Sequence, residues 1–184
     1  MSSFYTPSEL AEIGFASIGN DVLISRKASI YAPSLMHIGN HVRIDDFCIL
    51  SGSITIGSHV HISAYVALYG GKGIYINDYS GISARTTVYS AVDDFGGDCL
   101  IGPMSPEGTT NVKGGVVILE KYTQIGASCV VMPNLTIKEG SVVGAMSFVN
   151  HSLDSWGIYA GIPAKRLKER SSNLLNLIKE EDGE

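Results

Sequence analysis

The sequence predicts an all-β solenoid built from short parallel strands. Three observations predict it: aliphatic residues recur every six positions, the composition is rich in Ile, Val, Ser and Gly, and charge is sparse. A helix would place apolar residues at three and four, and a half-buried strand at two; six suits one short strand and its turn. The chain holds 20 Ile against 13 Leu, with 14 Val, 22 Ser and 21 Gly, a profile of strands and tight turns. With 184 residues, 45% of them hydrophobic and 17% charged, it can hold one domain with its own core.

The repeat itself starts at Ile18, Ile24 and Ile30. It resumes after an eight-residue step at Ile38, Ile44, Leu50, Ile56, Ile62 and Leu68, and after another at Ile76, Ile82 and Val88. Beyond a long interruption it returns as Leu119, Ile125, Val131, Ile137, Val143 and Val149. Four positions after each anchor a small or β-branched residue usually follows, among them Val22, Ala28, Ser34, Val42, Cys48, Val60, Thr86, Cys129 and Ser147; Ile54, Lys72 and Leu135 fit less well. One large and one small inward residue per hexad closes a triangular coil every three hexads. Successive coils then stack at about the 4.8 Å strand spacing. Cys48 and Cys129 fall in the small inward slot and read as core thiols, with Cys99 alone outside the pattern.

At the N-terminus, Thr6-Pro7-Ser8-Glu9 predicts a helix start with Thr6 as N-cap, and Gly14 predicts its stop. This capping segment, 1–17, covers the open end of the coil stack. The stack spans 18–155, interrupted by the loop 93–116, whose Gly, Pro and polar residues break the repeat and project from one corner. The segment 156–184 follows, with an amphipathic helix over Asn173 to Ile178 and an acidic tail from Glu180 to Glu184.

The I-G-x-x-small-x hexads, as in Ile38-Gly39, Ile125-Gly126 and Val143-Gly144, resemble the left-handed parallel β-helix of hexapeptide-repeat acyltransferases. The stretch Ile125 to Val149, followed by Ala160-Gly161-Ile162-Pro163-Ala164-Lys165, is similar to the galactoside and maltose O-acetyltransferase branch. That resemblance implies a homotrimer with active sites in the clefts between subunits, using acetyl-CoA as co-substrate and a sugar as acceptor. By the same resemblance Gly126, Ala127, Gly144 and Ala145 line the groove for the pantetheine arm, and Asn150 lies near the adenine. Lys165 and Lys168, with Arg166, meet the coenzyme phosphates, a task suited to cations. The competing reading is that small residues satisfy coil turns and that Lys165 to Arg170 is a solvated terminus.

Sugar O-acetyltransferases carry a histidine just before the projecting loop, as the base that deprotonates the acceptor hydroxyl. Here no histidine lies between His61 and His151, and the corresponding place is held by Asp93, followed by Asp94. A carboxylate with a free pKa near ~4 is a weak base unless burial or a like-charged neighbour raises it. Asp93 with Asp94 as that neighbour is one candidate; an Asp pair that caps a turn is the alternative. His61 is the second candidate, reaching a neighbouring subunit's loop from an outward position on the coil face. An amine acceptor needs less help from a protein base, so N-acetyl transfer to an amino sugar stands beside O-acetyl transfer to a sugar.

Other classes fit less well. A γ-class carbonic anhydrase on the same coil needs three histidines around zinc, and His37, His41, His59 and His61 have the wrong order for it, so no metal is expected. A non-catalytic solenoid needs neither the long loop nor the A-G-x-P-A-K ending. A net charge of −5 argues against a nucleic-acid partner. No apolar run approaches a membrane span, and the N-terminus lacks a signal-peptide pattern, so the expected location is cytoplasmic.

Overall fold

A computed structural model describes residues 3–181; the end of the acidic tail, 182–184, lies outside the described residues. Helix α1 (Pro7–Ile13) begins in the expected capping box. Thr6 accepts a hydrogen bond from the Glu9 N–H while the Glu9 carboxylate accepts one from the Thr6 N–H at 2.7 Å, and Gly14 ends the helix at φ 86°. Its Leu10 is buried against the first coil. Helix α2 (Leu174–Glu181) closes the described chain.

Between them the hexads form three parallel walls. In the first wall Ile18, Ile38, Ile56, Ile76, Leu119 and Ile137 stand in register from coil to coil. The second aligns Ile24, Ile44, Ile62, Ile82, Ile125, Val143 and Tyr159. The third aligns Ile30, Leu50, Leu68, Val88, Val131 and Val149. All these anchors are buried except Ile18 and Ile30 of the end coil; Ile24 of the same coil is buried, its carbonyl accepting from the Tyr5 N–H of the capping segment at 3.0 Å. Pairing each coil's backbone to the next satisfies strands two or three residues long that could not stand alone.

The small-slot rule fails at the corner between the third and first walls. Ser34, expected inside, is exposed; Ala28, which lies between the second and third walls of the end coil, is half-buried. At this corner the chain continues extended, in strands Ile49–Ile56 and Ala67–Ile76 that run through the bend. The inward residue therefore sits two positions before the next anchor, where Met36, Ile54, Ile74, Val117 and Leu135 fill the core. The eight-residue steps are the extra length of that corner. Cys48 and Cys129 do occupy the buried slot, and burial pushes the Cys48 thiol up to about 11.

The interruption has a structure of its own. Ala91–Asp93 pairs antiparallel with Val112–Gly114, a short stem that carries the loop away from the third corner. Ser90 anchors its root: its hydroxyl donates to the Tyr69 carbonyl at 3.0 Å and accepts from the Lys72 N–H at 2.8 Å. Above the last coil, Lys165–Glu169 folds back antiparallel on Gly157–Ala160 and ends the parallel stack.

Candidate active site

The corner between the second and third walls brings four of the expected residues together. Gly126 and Ala127 turn one coil there, and Gly144 and Ala145 turn the next. Gly126 is required by the stack itself, since a Cβ would lie 2.5 Å from the Ala145 nitrogen. Its smallness therefore says nothing about a ligand. The alanines carry the more telling feature: among the described residues the N–H groups of Ala127 and Ala145 have no acceptor, nor does that of Ala84 one coil below. A column of unengaged N–H groups on a surface of small side chains suits an extended chain of amides.

Lys165, Arg166 and Lys168 lie on the antiparallel strand at the top of this column. Arg166 is drawn to Glu169 at 2.6 Å. Neither Lys165 nor Lys168 has a carboxylate within ion-pair distance among the described residues, so both are exposed cations open to an anion. Asn150 is not brought to this column. It lies at the far end of the third wall, lining a cleft of about 510 Å³ with Phe148, Asn134 and Met132 from the coils and Val92 and Lys113 from the loop stem.

Asp93 is the last residue of the first stem strand and half-buried, opposite Val112. Asp94 is not the free like charge that the sequence reading needed. Its carboxylate accepts from the Gly96 N–H at 3.0 Å, from Lys113 at 3.0 Å and from Asn111 at 2.9 Å. The Gly96 N–H first, then Lys113 and Asn111, hold its carboxyl below the usual range, against a smaller opposing effect of burial. Asp94 thus fastens the loop, and its charge is compensated on the spot.

His61 points outward from the second wall, on a different face of the same chain from Asp93. Its Nε2 lies 2.8 Å from Asp45, which also accepts from Arg43 at 2.7 Å. Burial alone would raise the Asp45 carboxyl, yet the hydrogen bonds from Arg43 and His61 hold it below the usual range. Asp45 escaped the sequence reading, although its place after the anchor Ile44 and beside the outward Arg43 and His61 rows was readable. The other histidines spread apart: His37 is on the first wall, while His41 and His59 stack at 4.7 Å on the corner between the first two walls. Among the described residues no three His, Cys, Asp or Glu side chains converge as a metal site would require, and no helix is long and apolar enough to cross a membrane.

A coil of hexads with one loop thrown out of the third corner, and a folded-back strand ending in A-G-x-P-A-K, defines a class. The chain belongs to the hexapeptide-repeat acyltransferases, whose left-handed parallel β-helix it adopts. The family model for the bacterial transferase hexapeptide (six repeats) matches residues 36–70. Within the family, the chain is 40% identical over 172 residues to a dTDP-4-amino-4,6-dideoxy-D-glucose acyltransferase of Escherichia coli, covering 92% of this chain and 90% of that one. It is also similar to AntD, an N-acyltransferase from Bacillus cereus solved in complex with dTDP and 3-hydroxybutyryl-CoA. There the identity is 55% and the TM-score 0.95, covering 98% of this chain and 96% of that one. A variant of AntD has been solved with dTDP-4-amino-4,6-dideoxyglucose and coenzyme A. A hexapeptide-repeat-containing acetyltransferase from Vibrio cholerae, 22% identical with a TM-score of 0.62 over 90% of this chain and 80% of that one, shares the fold.

Proposed function

We propose that this chain transfers an acyl group from acyl-coenzyme A to the amino nitrogen of a nucleotide-linked amino sugar, in clefts between the subunits of a homotrimer. The observation that carries the reading is the root of the projecting loop. A carboxylate, Asp93, stands where the sugar O-acetyltransferases place a histidine, in a chain 55% identical to an N-acyltransferase. Of the two acceptors left open by the sequence, the relatives therefore favour the amine over the hydroxyl.

The chemistry asks less of a protein base than transfer to a hydroxyl does, and one carboxylate suffices. An amine that has lost its proton is already nucleophilic, whereas a hydroxyl must shed one as it attacks. In this reading the pantetheine arm lies along the column of Ala84, Ala127 and Ala145, with its phosphates at Lys165 and Lys168. Asp93 accepts a hydrogen bond from the acceptor nitrogen and aims its lone pair at the thioester carbonyl. The C–N bond forms and the C–S bond breaks. The sulfur leaves as coenzyme A thiolate, and the proton released by nitrogen passes to the Asp93 carboxylate and on to solvent. A free backbone N–H of the column meets the negative oxygen of the tetrahedral intermediate. His61, on the second wall, borders the column from its other side, with its Nε2 turned to Asp45.

Thiol release from acetyl-CoA and 3-hydroxybutyryl-CoA, measured across free sugars, free amino sugars and nucleotide-linked amino sugars, tests the reading. Turnover confined to nucleotide-linked amines is expected. Equal or better turnover of a hydroxyl acceptor would overturn it.

A further inference from the structure

The corner that carries the Ala127–Ala145 column has a second half with a different surface. In the four lower coils the equivalent outermost slots hold Lys27, Phe47, Tyr65 and Arg85. Phe47, Tyr65 and Arg85 sit at φ 61°, 62° and 64°, a left-handed conformation that glycine or asparagine adopts more easily. Their side chains form one continuous stack. The Phe47 and Tyr65 rings lie 4.9 Å apart, Lys27 stands 5.2 Å from the Phe47 centroid, and Arg85 stands 5.2 Å from that of Tyr65. Both rings remain about half exposed, at 46% and 50%.

Stacking at such corners is a structural habit of this coil. The corner between the first two walls has its own ladder of His41, His59, Tyr79, Tyr122 and Trp156. Charge sets the lower stack apart. Beside the other ladder Lys121 is held by Asp78 at 3.0 Å and Arg170 by the Tyr122 and Gly140 carbonyls at 2.6 and 2.8 Å, and Lys27 is held by Asp46 at 2.8 Å. Arg85 has no carboxylate within ion-pair distance among the described residues. Of the cations that are bound to neither a carboxylate nor a carbonyl among the described residues, Arg85, Lys72, Lys165 and Lys168, Arg85 alone lies over an exposed aromatic ring.

Its place along the column is equally informative. Lys165 and Lys168 mark the top of the stack, and Ser83-Ala84-Arg85 turns the corner four strand spacings lower, about 19 Å away. A coenzyme held at the top by its phosphates extends its thioester down toward Ala84. An acceptor must then approach from below, across Arg85, Tyr65 and Phe47.

We infer that this lower half of the corner is the nucleotide subsite of the acceptor. Arg85 holds the diphosphate, and the exposed Tyr65–Phe47 stack carries the base. The inference rests on the proposed acyl transfer to a nucleotide-linked sugar and adds where the nucleotide binds. A guanidinium meets phosphate oxygens through two parallel N–H bonds, and a flat base covers aromatic surface otherwise left in water.

Coenzyme A also contains a diphosphate, so the experiment must separate the two sources. The affinities of the full chain for dTDP, thymidine and coenzyme A are measured by calorimetry for the wild type, Arg85→Met and Tyr65→Ala, with melting temperature as the control for folding. Arg85→Met is expected to weaken dTDP at least tenfold, in keeping with a charge-assisted contact. It should leave thymidine and coenzyme A within about twofold. Tyr65→Ala is expected to weaken dTDP and thymidine together. The inference is overturned if Arg85→Met leaves dTDP binding unchanged, or if it weakens coenzyme A as much as dTDP at an unchanged melting temperature. Wild-type protein that acylates a free amino sugar but ignores dTDP would overturn the nucleotide-linked acceptor as well. Wild-type binding of dTDP that Arg85→Met does not disturb would remove this subsite alone.

Discussion

Thr86→Val should weaken the molecule where the coil stack resumes after the inserted loop. Thr86 is fully buried in the fourth coil. Its hydroxyl donates to the Gly126 carbonyl at 2.8 Å and accepts from the Cys129 N–H at 3.2 Å, across an insertion that separates the two coils by forty residues of sequence. Valine has nearly the same shape, so no cavity forms, but both backbone groups lose their partner inside the protein. Each orphaned buried group costs about 1–3 kcal/mol, so the expected destabilisation is roughly 2–6 kcal/mol. With a urea dependence of about 2 kcal/mol per M for a chain this size, the midpoint should fall by roughly 1–3 M. Because Gly126 turns the corner where the coenzyme arm is proposed to lie, the KM for acyl-CoA should rise in the same variant. Thr86→Ser keeps the hydroxyl and should lose much less. Urea unfolding followed by circular dichroism at fixed protein concentration measures all three proteins. A Thr86→Val midpoint within about 0.25 M of wild type would refute the argument that this hydroxyl ties the coils together.

Changing Lys165 and Lys168 together to alanine should raise the KM for acyl-CoA at least several-fold while kcat changes little; steady-state kinetics showing an unchanged KM would make this strand a solvated end. Asp93→Asn should lower kcat by about 10²-fold or more with coenzyme affinity intact, whereas Asp94→Asn should act through the loop and chiefly raise the acceptor KM. Near-normal turnover in Asp93→Asn would remove Asp93 from the reaction. Protonation of Asp94 should loosen the loop. Its carboxyl is held below its ordinary value in the folded chain, so its contribution is intact above about pH 4 and is lost as pH falls through the lowered value. Pepsin cleavage near the exposed Phe95 and Met104 should therefore rise on acidification from pH 4 toward pH 2 more steeply in wild type than in Asp94→Asn, once scaled to pepsin's rate on an unfolded substrate.

The hexads were legible because an inward aliphatic every six residues leaves few alternatives, and Ile24, Ile44, Ile62 and Ile82 fall in one buried file as the count required. The third corner was misread because its inward slot takes large residues, so Ile54 and Leu135 looked irregular while filling the core, and because the eight-residue steps move that slot to Met36 and Ile74. The loop stem was invisible, since Ala91-Val92-Asp93 and Val112-Lys113-Gly114 are too short to show alternation, and their pairing is a matter of tertiary placement. At the site, Gly126, Ala127, Gly144 and Ala145 were singled out by the family resemblance, and the repeat gives only their place at one corner of two successive coils. The Asp94–Lys113 pair needed the hairpin register, and the Lys27–Phe47–Tyr65–Arg85 file needed the coils stacked. A residue three positions past an anchor looks like an ordinary turn until its neighbours above and below are known.

The most direct test of the account is a competition in one tube between dTDP-4-amino-4,6-dideoxyglucose and its counterpart with a hydroxyl at the same carbon, with acetyl-CoA as donor. Mass spectrometry of the products, before and after mild alkali, distinguishes a base-stable amide from a base-labile ester. Acylation of the amino sugar alone, in a product that survives alkali, is the predicted result. An alkali-labile product on the hydroxyl sugar, or thiol release with neither, would contradict it.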